Sequence, residues 1–384
     1  MLAEWVTPDR ILFGPGAARQ VPEIVVGLAS RVMVVCGSNP QRHEWLLTAL
    51  AARGIATMVY SVVGEPSVAV AEEALQRARE YVATAVIGIG GGSALDVAKA
   101  VAGLLVNDGE LVDYLEVVGK GRPLAKRAAP MIAIPTTAGT GSEATRNAVL
   151  EVPEKGVKVS MRSPLLVPTW AVVDPELTLD LPPGPTATSG FDALAQLLES
   201  FVSVKANAFT DALCREALPR VGRSLRTACL SGRDLSARSD MALGALFSGM
   251  ALANAGLGAV HGLAGPLGGM LHAPHGALCA ALLAPVVEVN VRALRSRAPD
   301  SPALARYEEA ARLVTGKPQA TVADLLAWIQ TLAAEVGIPR LSQLGLRKSH
   351  YDQAVERSQA ASSMKGNPIV LLDEEIVEIL DLAG

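Results

Sequence analysis

The sequence predicts an α/β amino-terminal half built on a parallel sheet, followed by an all-helical carboxyl-terminal half. Before about residue 180, short β-rich runs alternate with helical patterns, which is typical of strand–helix–strand units. After that point, long helical patterns dominate and strand signals almost disappear. Half of the 384 residues are apolar and only 4 % are aromatic, which suits helices packed on a buried parallel sheet. We therefore expect two domains, 1–180 and 181–384.

Each predicted element is an apolar run or a helical periodicity bounded by Gly, Pro or polar turn residues. The predicted strands of the first half are 31–36, 56–61, 84–88 and 131–134, and the predicted helices are 41–54, 67–81 and 93–105. The predicted helices of the second half are 191–203, 206–226, 236–255, 277–293, 301–313 and 321–336.

Bulk properties exclude several classes of protein. The formal net charge is -4, without the basic stripe that a nucleic-acid partner requires. The first residues lack the apolar segment of a signal peptide, and the apolar stretch 277–287 is too short to span a membrane, so we interpret it as a core helix. The four cysteines, Cys36, Cys214, Cys229 and Cys279, follow no CxxC pattern and are interpreted as small buried side chains in a reducing compartment. We expect a cytoplasmic protein without a membrane or nucleic-acid partner.

A glycine-rich turn follows the predicted strand 84–88. Gly90, Gly91, Gly92 and Ser93 lead into a helix, and such a turn lets backbone N–H groups approach a phosphate closely. Ser93 with Asp96 three residues later resembles a capping box. The alternative is a tight turn whose glycines serve packing alone. The pattern is not a G-x-x-x-x-G-K-[ST] loop, which disfavours a P-loop NTPase.

A second polar turn, 135–143, follows the strand 131–134. Its small hydroxyl and glycine residues, among them Thr136, Thr137, Thr140 and Ser142, suit a bound cofactor. Ligands of open α/β sheets bind outside the carboxyl ends of the strands, where both turns are expected. An ordinary Ser/Thr/Gly loop is the alternative for this turn taken alone.

Three of the five histidines, His261, His272 and His275, fall within 15 residues. Gly and Pro residues between them argue against one continuous helix, so His261 and His275 are expected on separate helical ends that converge. Imidazole nitrogen suits Zn and Fe(II). Asp192 opens an otherwise apolar helical pattern, and Gln196 lies four residues on, on the same face. Alone, Asp192 is better interpreted as a helix-capping acid, but with the two histidines it indicates a metal site.

Several ordered motifs carry a resemblance that runs over most of the chain. They are Phe13-Gly-Pro-Gly16, Gly90-Gly-Gly-Ser93 with Asp96 and Lys99, Pro135 to Glu143, Asp174-Pro-Glu-Leu177, Asp192-Ala-Leu, His261, Pro274-His275-Gly276 and Asn367-Pro368. In this order and spacing they resemble the iron-containing (group III) alcohol dehydrogenase family. The resemblance implies a Rossmann-like first domain, a helical second domain, an active site in the cleft between them, and a homodimer.

The resemblance also implies the cofactor contacts. It puts the pyrophosphate of NAD or NADP at the turn 90–93, and Thr136, Thr137 and Thr140 along the cofactor. Lys158 matches a lysine near the ribose. The family's frequent ribose-binding Asp is replaced by Gly37, which removes a repulsion against a 2′-phosphate. With Gly37 and Ser38 in the turn and Arg42 five residues beyond Gly37, NADP(H) is slightly favoured, and NAD(H) stays open.

The family's metal is held by an Asp, a His four residues later, and two His fourteen apart. Here Gln196 stands at the second position, so the ligands are Asp192, His261 and His275, with Gln196 as a weak neutral donor. The related glycerol dehydrogenases also lack a His there. The alternative is a site without metal, as in the related maleylacetate reductases. The family's additional His is Gly265. His272 is a candidate substitute for proton relay, although a helix-end cap is the favoured interpretation.

The resulting expectation is an oxidoreductase that transfers a hydride between NAD(P)(H) and an alcohol, aldehyde or ketone, assisted by Fe(II) or Zn. The alternatives are a metal-independent enzyme similar to maleylacetate reductases, a lyase similar to dehydroquinate synthase, and a nucleotide-binding protein without catalysis. The lyase requires a Lys/Arg cluster for a phosphorylated acid, and residues 250–290 contain no Lys or Arg.

Overall fold

The computed structural model describes residues 4–384. These residues form two compact units. The amino-terminal unit comprises 6–137 and 141–178, and the helical unit comprises 138–140 and 179–384 together with Glu4 and Trp5.

The amino-terminal unit contains eight strands among the described residues. They are β1 (Arg10–Phe13), β2 (Arg31–Cys36), β3 (Ala56–Ser61), β4 (Ala85–Gly90), β5 (Met131–Pro135), β6 (Asn147–Val152), β7 (Val157–Arg162) and β8 (Trp170–Val173). Six of them form one sheet in the order β1-β8-β5-β4-β2-β3, and every pair in it is parallel. β6 and β7 form a separate antiparallel hairpin. The predicted parallel sheet is confirmed.

The helices of this unit cover the sheet. They are α1 (Val21–Val26), α2 (Glu44–Ala51), α3 (Val68–Glu80), α4 (Gly92–Leu104) and α5 (Leu111–Tyr114). β4 is buried along its whole length and α4 over ten of its residues, which explains their nearly continuous apolar sequences. The predicted helix 41–54 is shorter than expected, because a 3₁₀ turn at Pro40–His43 precedes α2.

The helical unit confirms the predicted change of fold class. Its helices are α6 (Pro183–Val202), α7 (Ala208–Leu230), α8 (Leu235–Ala255), α9 (Ala259–Leu271), α10 (His275–Arg297), α11 (Pro302–Thr315), α12 (Val322–Glu335), α13 (Tyr351–Ala360) and α14 (Asp373–Ala383). The predicted ranges include none for α9, α13 or α14, although His261 was expected at a helical end. α9 contains Pro266 and several glycines, but nine of its residues are buried, so tertiary packing outweighs their poor helix propensity.

Two buried helices form the centre of this unit. α6 is buried from Gly190 to Val202, and α10 packs against it. α10 is long and apolar enough to cross a membrane, yet 78 % of its most apolar stretch is buried inside the protein, as expected of a core helix. α8 and α9 pass the same test of length and composition only as a pair, and they bend by 98° between them.

Arg238 is a fully buried anchor for the start of the helical unit. It is 2 % exposed, and its guanidinium donates to the Gly232 carbonyl, the Thr186 hydroxyl and the Leu181 carbonyl at 2.8–3.0 Å. These bonds fasten the segment that leads into α6 to the first turns of α8. The chain therefore satisfies a buried charge with three acceptors on two segments, the entry into α6 and the loop before α8.

We expect Arg238→Ala to lower the free energy of unfolding of the helical unit by about 3 kcal/mol, because it leaves a cavity and unpaired acceptors. The matched control is Arg226→Ala, since Arg226 is 64 % exposed and pairs with Glu335 at the surface. The control is expected to cost less than about 1 kcal/mol. Thermal and urea unfolding of both variants measure this, and equal destabilisation would contradict the anchoring role.

Candidate active site

Helix α6 presents a buried polar face within its apolar surroundings. Asp192, Gln196 and Glu199 lie four and three residues apart, so all three share one side of the helix. Their exposures are only 1 %, 3 % and 6 %. Carboxylates buried to this degree require cationic or hydrogen-bonding partners.

Glu199 links α6 to the start of α9. Its Oε1 accepts hydrogen bonds from the backbone N–H groups of Val260 at 2.6 Å and His261 at 3.4 Å. Its Oε2 lies 2.5 Å from Nδ1 of His261. Because a carboxylate only accepts, His261 Nδ1 donates, and Nε2 is the nitrogen left with a lone pair in the neutral ring. Glu199 thus caps α9 and selects the tautomer of His261.

The Asn367 side chain completes the same helix start. Its Oδ1 accepts from the N–H of Ala259 at 3.1 Å and from the Asn290 amide at 3.1 Å. Its amide nitrogen donates to Asn290 Oδ1 at 2.8 Å. The Asn367-Pro368 motif near the carboxyl terminus therefore supports the helix that carries His261.

His275 is the first residue of α10, and Cys279 follows one turn later on the same face. The start of α10 approaches α6 closely: a Cβ on Gly276 would lie 2.8 Å from the Thr188 carbonyl oxygen. Asp192 is one turn beyond Thr188 on α6. The small residue at 276 therefore allows the two helices to bring His275 towards Asp192.

Four side chains converge where α6, α9 and α10 meet. One ligand atom from each of Asp192, His261, His275 and Cys279 lies within 4.8 Å of the others. Asp192 Oδ1 is 3.1 Å from His261 Nε2 and 3.8 Å from His275 Nε2. The His275 side chain is 34 % exposed, so solvent has access to these four residues next to His275. We call these four residues the donor cluster.

Neighbouring groups shift the pKa values of Asp192 and of the two histidines of the donor cluster. Burial alone raises the pKa of Asp192, but the hydrogen bond from His261 and the charge of His275 bring that pKa below its ordinary value. Burial alone lowers the pKa of His261, but electrostatic interaction with Cys279 and Glu199 raises it well above its usual range. The pKa of His275 is raised by Cys279 and Asp192 against the same burial effect. The site therefore stabilises positive charge at the imidazoles.

Gln196 and His272 were also predicted for this site. Gln196 Oε1 accepts a hydrogen bond from the Ser248 hydroxyl of α8 at 2.7 Å. His272 is exposed and adopts φ 50°, ψ 35° at the carboxyl end of α9, the conformation of a helix-ending residue. The donor cluster does not include His272, and its role as a proton relay stays a prediction.

In the amino-terminal unit, the glycine-rich turn lies at the point where the strand order reverses. After β2 the chain adds β3 on one side, whereas β4 pairs with β2 on the other side. Gly90 has φ 155°, and a Cβ there would lie 2.9 Å from Ala94 Cβ and 3.3 Å from the Gly37 nitrogen. Only glycine suits this position. The turns after β2 and β4 therefore adjoin at a switch point, where such sheets bind ligands.

The amino terminus of α4 faces this turn without a side-chain cap. Gly91 is the N-cap residue, so the predicted capping box of Ser93 and Asp96 is wrong. Asp96 Oδ1 accepts from the Ser142 hydroxyl at 2.6 Å and pairs with Lys99 at 3.0 Å, and Oδ2 accepts from the Val149 N–H at 3.1 Å. Asp96 and Ser142 thus tie α4 to the turn after β5. Direct cofactor contact by either residue stays a prediction.

Of the other predicted cofactor residues, Thr136 and Thr137 lie at these turns. The Thr136 N–H donates to the Gly90 carbonyl at 2.9 Å, and a Cβ on Gly91 would lie 3.5 Å from Cγ2 of Thr137. Ser38 and Arg42 are exposed beyond β2. Lys158, on β7, pairs with Glu65 at 3.0 Å. Thr140 belongs to the helical unit.

Comparison with known proteins gives the family. Residues 8–175 match the iron-containing alcohol dehydrogenase family, and residues 186–384 match the carboxyl-terminal region of the Fe-containing alcohol dehydrogenases. Long-chain-alcohol dehydrogenase 1 of Geobacillus thermodenitrificans is 36 % identical over 397 residues, covering 100 % of this chain and 97 % of that protein.

Solved structures agree in sequence and shape. The alcohol dehydrogenase from Oenococcus oeni is 31 % identical with a TM-score of 0.89, and each chain is covered to 100 %. Sulfoacetaldehyde reductase from Bifidobacterium kashiwanohense, solved in complex with NAD+, is 28 % identical with a TM-score of 0.87, covering 100 % of this chain and 99 % of that chain. The chain belongs to the iron-containing alcohol dehydrogenase family.

Family membership establishes the reaction class. The chain is an enzyme that transfers a hydride between NAD(P)(H) and an alcohol, aldehyde or ketone with the help of a metal. The predicted family, fold class and oxidoreductase function are confirmed.

Sequence reasoning missed two residues of the site. Cys279 was grouped with the inert cysteines, although its position four residues after His275 on an expected helix was the available signal. Glu199 was overlooked, although it follows Asp192 by seven residues, which is two helical turns on the same face. Neither spacing alone reveals what the opposite helix contributes.

Proposed function

We propose that Asp192, His261 and His275 hold the metal of this dehydrogenase, and that the turn 90–93 binds the cofactor pyrophosphate. The observation that carries the metal assignment is the convergence of these three donor atoms from three helices, with His261 Nε2 held towards Asp192. A divalent cation suits this set, because one carboxylate and two imidazoles are common ligands of Zn and Fe(II).

When bound, the metal supplies Lewis-acid polarisation of the alcohol or carbonyl oxygen. The chain's own residues prepare that chemistry. Glu199 accepts the Nδ1 proton of His261, so Nε2 is the nitrogen that would bind the metal when the ring is neutral. Asp192 contributes the negative charge that balances the cation in a buried site, and the partly exposed His275 lies on the side open to solvent.

Cofactor binding is supported by the uncapped start of α4. The first N–H groups of a helix lack intrahelical partners, and with the positive end of the helix dipole they attract a pyrophosphate. Gly90 keeps side-chain atoms away from this surface. The bond network of Asp96 and Ser142 holds the turn that carries Thr136 and Thr137 in register with it.

We further propose that NADPH is accepted as well as NADH. Gly37 follows β2 and carries no carboxylate to repel a 2′-phosphate, and the exposed Arg42 offers a guanidinium nearby in sequence. The free state of all four cysteines supports a reducing, cytoplasmic location. A homodimer is the oligomeric state that we propose from the family resemblance.

For the metal assignment, His261→Ala and His275→Ala are each expected to lose most of the bound metal and at least about 100-fold in turnover. Metal content is measured by mass spectrometry after loading with Zn or Fe(II), and activity by NAD(P)H absorbance. His350→Ala is the matched control, because His350 lies outside the donor cluster. Unchanged metal content and turnover in both ligand variants would refute the assignment.

For cofactor choice, Gly37→Asp is expected to lower kcat/KM with NADPH at least about tenfold while sparing NADH, because a carboxylate repels the 2′-phosphate. The new side chain fits, since a Cβ at Gly37 meets nothing within 4 Å. Gly37→Ala is the matched control that adds the Cβ without the charge. A wild-type enzyme that does not oxidise NADPH, or an unchanged cofactor ratio in Gly37→Asp, would contradict the proposal.

A further inference from the structure

Cys279 lies among the proposed ligands with its sulfur aimed at them. Its Sγ is 3.5 Å from His275 Nε2 and 3.8 Å from His261 Nε2. The side chain is 0 % exposed. Its place on α10, one turn after His275, puts the sulfur on the side of the helix that faces α6 and α9.

Four of the six separations among the donor atoms are close to the edges of a metal tetrahedron. Metal–nitrogen and metal–oxygen bonds of about 2.0 Å give edges of about 3.3 Å, and a metal–sulfur bond of about 2.3 Å gives nitrogen–sulfur edges of about 3.5 Å. The observed oxygen–nitrogen separations are 3.1 Å and 3.8 Å, and the nitrogen–sulfur separations are 3.5 Å and 3.8 Å. Small side-chain movements therefore suffice to surround one ion.

Gln196 is the competing fourth donor, and its environment disfavours it. The Ser248 hydroxyl of α8 donates a hydrogen bond to the Gln196 side-chain oxygen at 2.7 Å. This bond occupies one of the two lone pairs of that oxygen. An amide oxygen is also a neutral and weak ligand compared with a thiolate. The Cys279 sulfur instead lies 3.8 Å and 3.5 Å from the Nε2 atoms of His261 and His275.

We propose that Cys279 is the fourth metal ligand, in place of Gln196, and that its thiolate makes the site prefer Zn over Fe(II). The inference rests on the proposed metal site and names its fourth donor. Soft thiolate ligands favour Zn among the metals that imidazole also binds, and a tetrahedral set with sulfur and nitrogen donors is typical of Zn. The three helices thus build an oxygen–nitrogen–nitrogen–sulfur set within a family named for iron.

Substitution of the enzyme's metal by Co(II) tests directly whether sulfur is a ligand. Co(II) bound to a thiolate produces a sulfur-to-metal charge-transfer band in the near ultraviolet, which oxygen and nitrogen ligands do not produce. We expect this band at one Co(II) per chain in the wild type, its loss in Cys279→Ser, and its retention in Gln196→Ala. Cys214→Ala is the matched control, since Cys214 is a buried cysteine of α7 outside the cluster.

Competition between Zn and Fe(II) under anaerobic conditions tests the selectivity. Cys279→Ser is expected to reduce the Zn-to-Fe(II) occupancy ratio at least about tenfold relative to the wild type. X-ray absorption of the Zn-loaded wild type requires no variant, and it is expected to show one sulfur neighbour at about 2.3 Å. This measurement decides the question if Cys279→Ser does not fold.

The outcomes separate the inference from the proposed function. A wild type that binds one metal without a charge-transfer band and without a sulfur neighbour would overturn the role of Cys279 and leave the three-ligand site standing. A wild type that binds no Zn, Fe(II) or Co(II) would overturn the metal site and the inference together. An unchanged occupancy ratio in Cys279→Ser would refute the selectivity.

Discussion

The start of α9 and the orientation of His261 depend on one buried carboxylate, that of Glu199. Its two oxygens accept hydrogen bonds from the first N–H groups of α9 and from the Nδ1–H of His261. These charge-assisted hydrogen bonds offset the unfavourable desolvation of the buried carboxylate. The positive end of the α9 dipole adds to this stabilisation. The same carboxylate caps α9 and orients the imidazole of His261. The position of that imidazole therefore depends on the correct formation of the start of α9. Asn367 strengthens it by binding the adjacent N–H of Ala259.

Much of the architecture was predictable, because burial leaves a clear pattern in sequence. β2 and β3 have the predicted bounds, since continuous apolar or β-branched runs mark strands of a parallel sheet. α9 was not predictable, because Pro266 and its neighbouring glycines argue locally against a helix. Its stability comes from packing and from caps that Glu199 and Asn367 supply over long sequence separations. Asp96 illustrates the same limit: its spacing from Ser93 predicts a local cap, whereas its carboxylate binds Ser142 and Val149.

For the candidate site, sequence reasoning named three of the four residues of the donor cluster. Asp192, His261 and His275 were recognisable as an acid with clustered histidines, and the structure brings them together. The contacts of the site residues depend on tertiary packing. Ser248 donates a hydrogen bond to Gln196, and the Cys279 sulfur contacts the imidazoles of His261 and His275. A residue type alone does not tell a buried cysteine that packs from one that coordinates. The convergence of three helices on one point is what favours coordination by Cys279, and that convergence is a property of the fold.

The central claim is that α6, α9 and α10 together hold the metal of this dehydrogenase. Anomalous diffraction from crystals of the metal-loaded, active enzyme, recorded on both sides of the absorption edge of the bound metal, tests it most directly. The account predicts one strong anomalous peak per chain, bounded by Asp192 Oδ1, His261 Nε2 and His275 Nε2, with Cys279 Sγ beside it. A peak elsewhere, or none at the donor cluster in crystals of active enzyme, would contradict it.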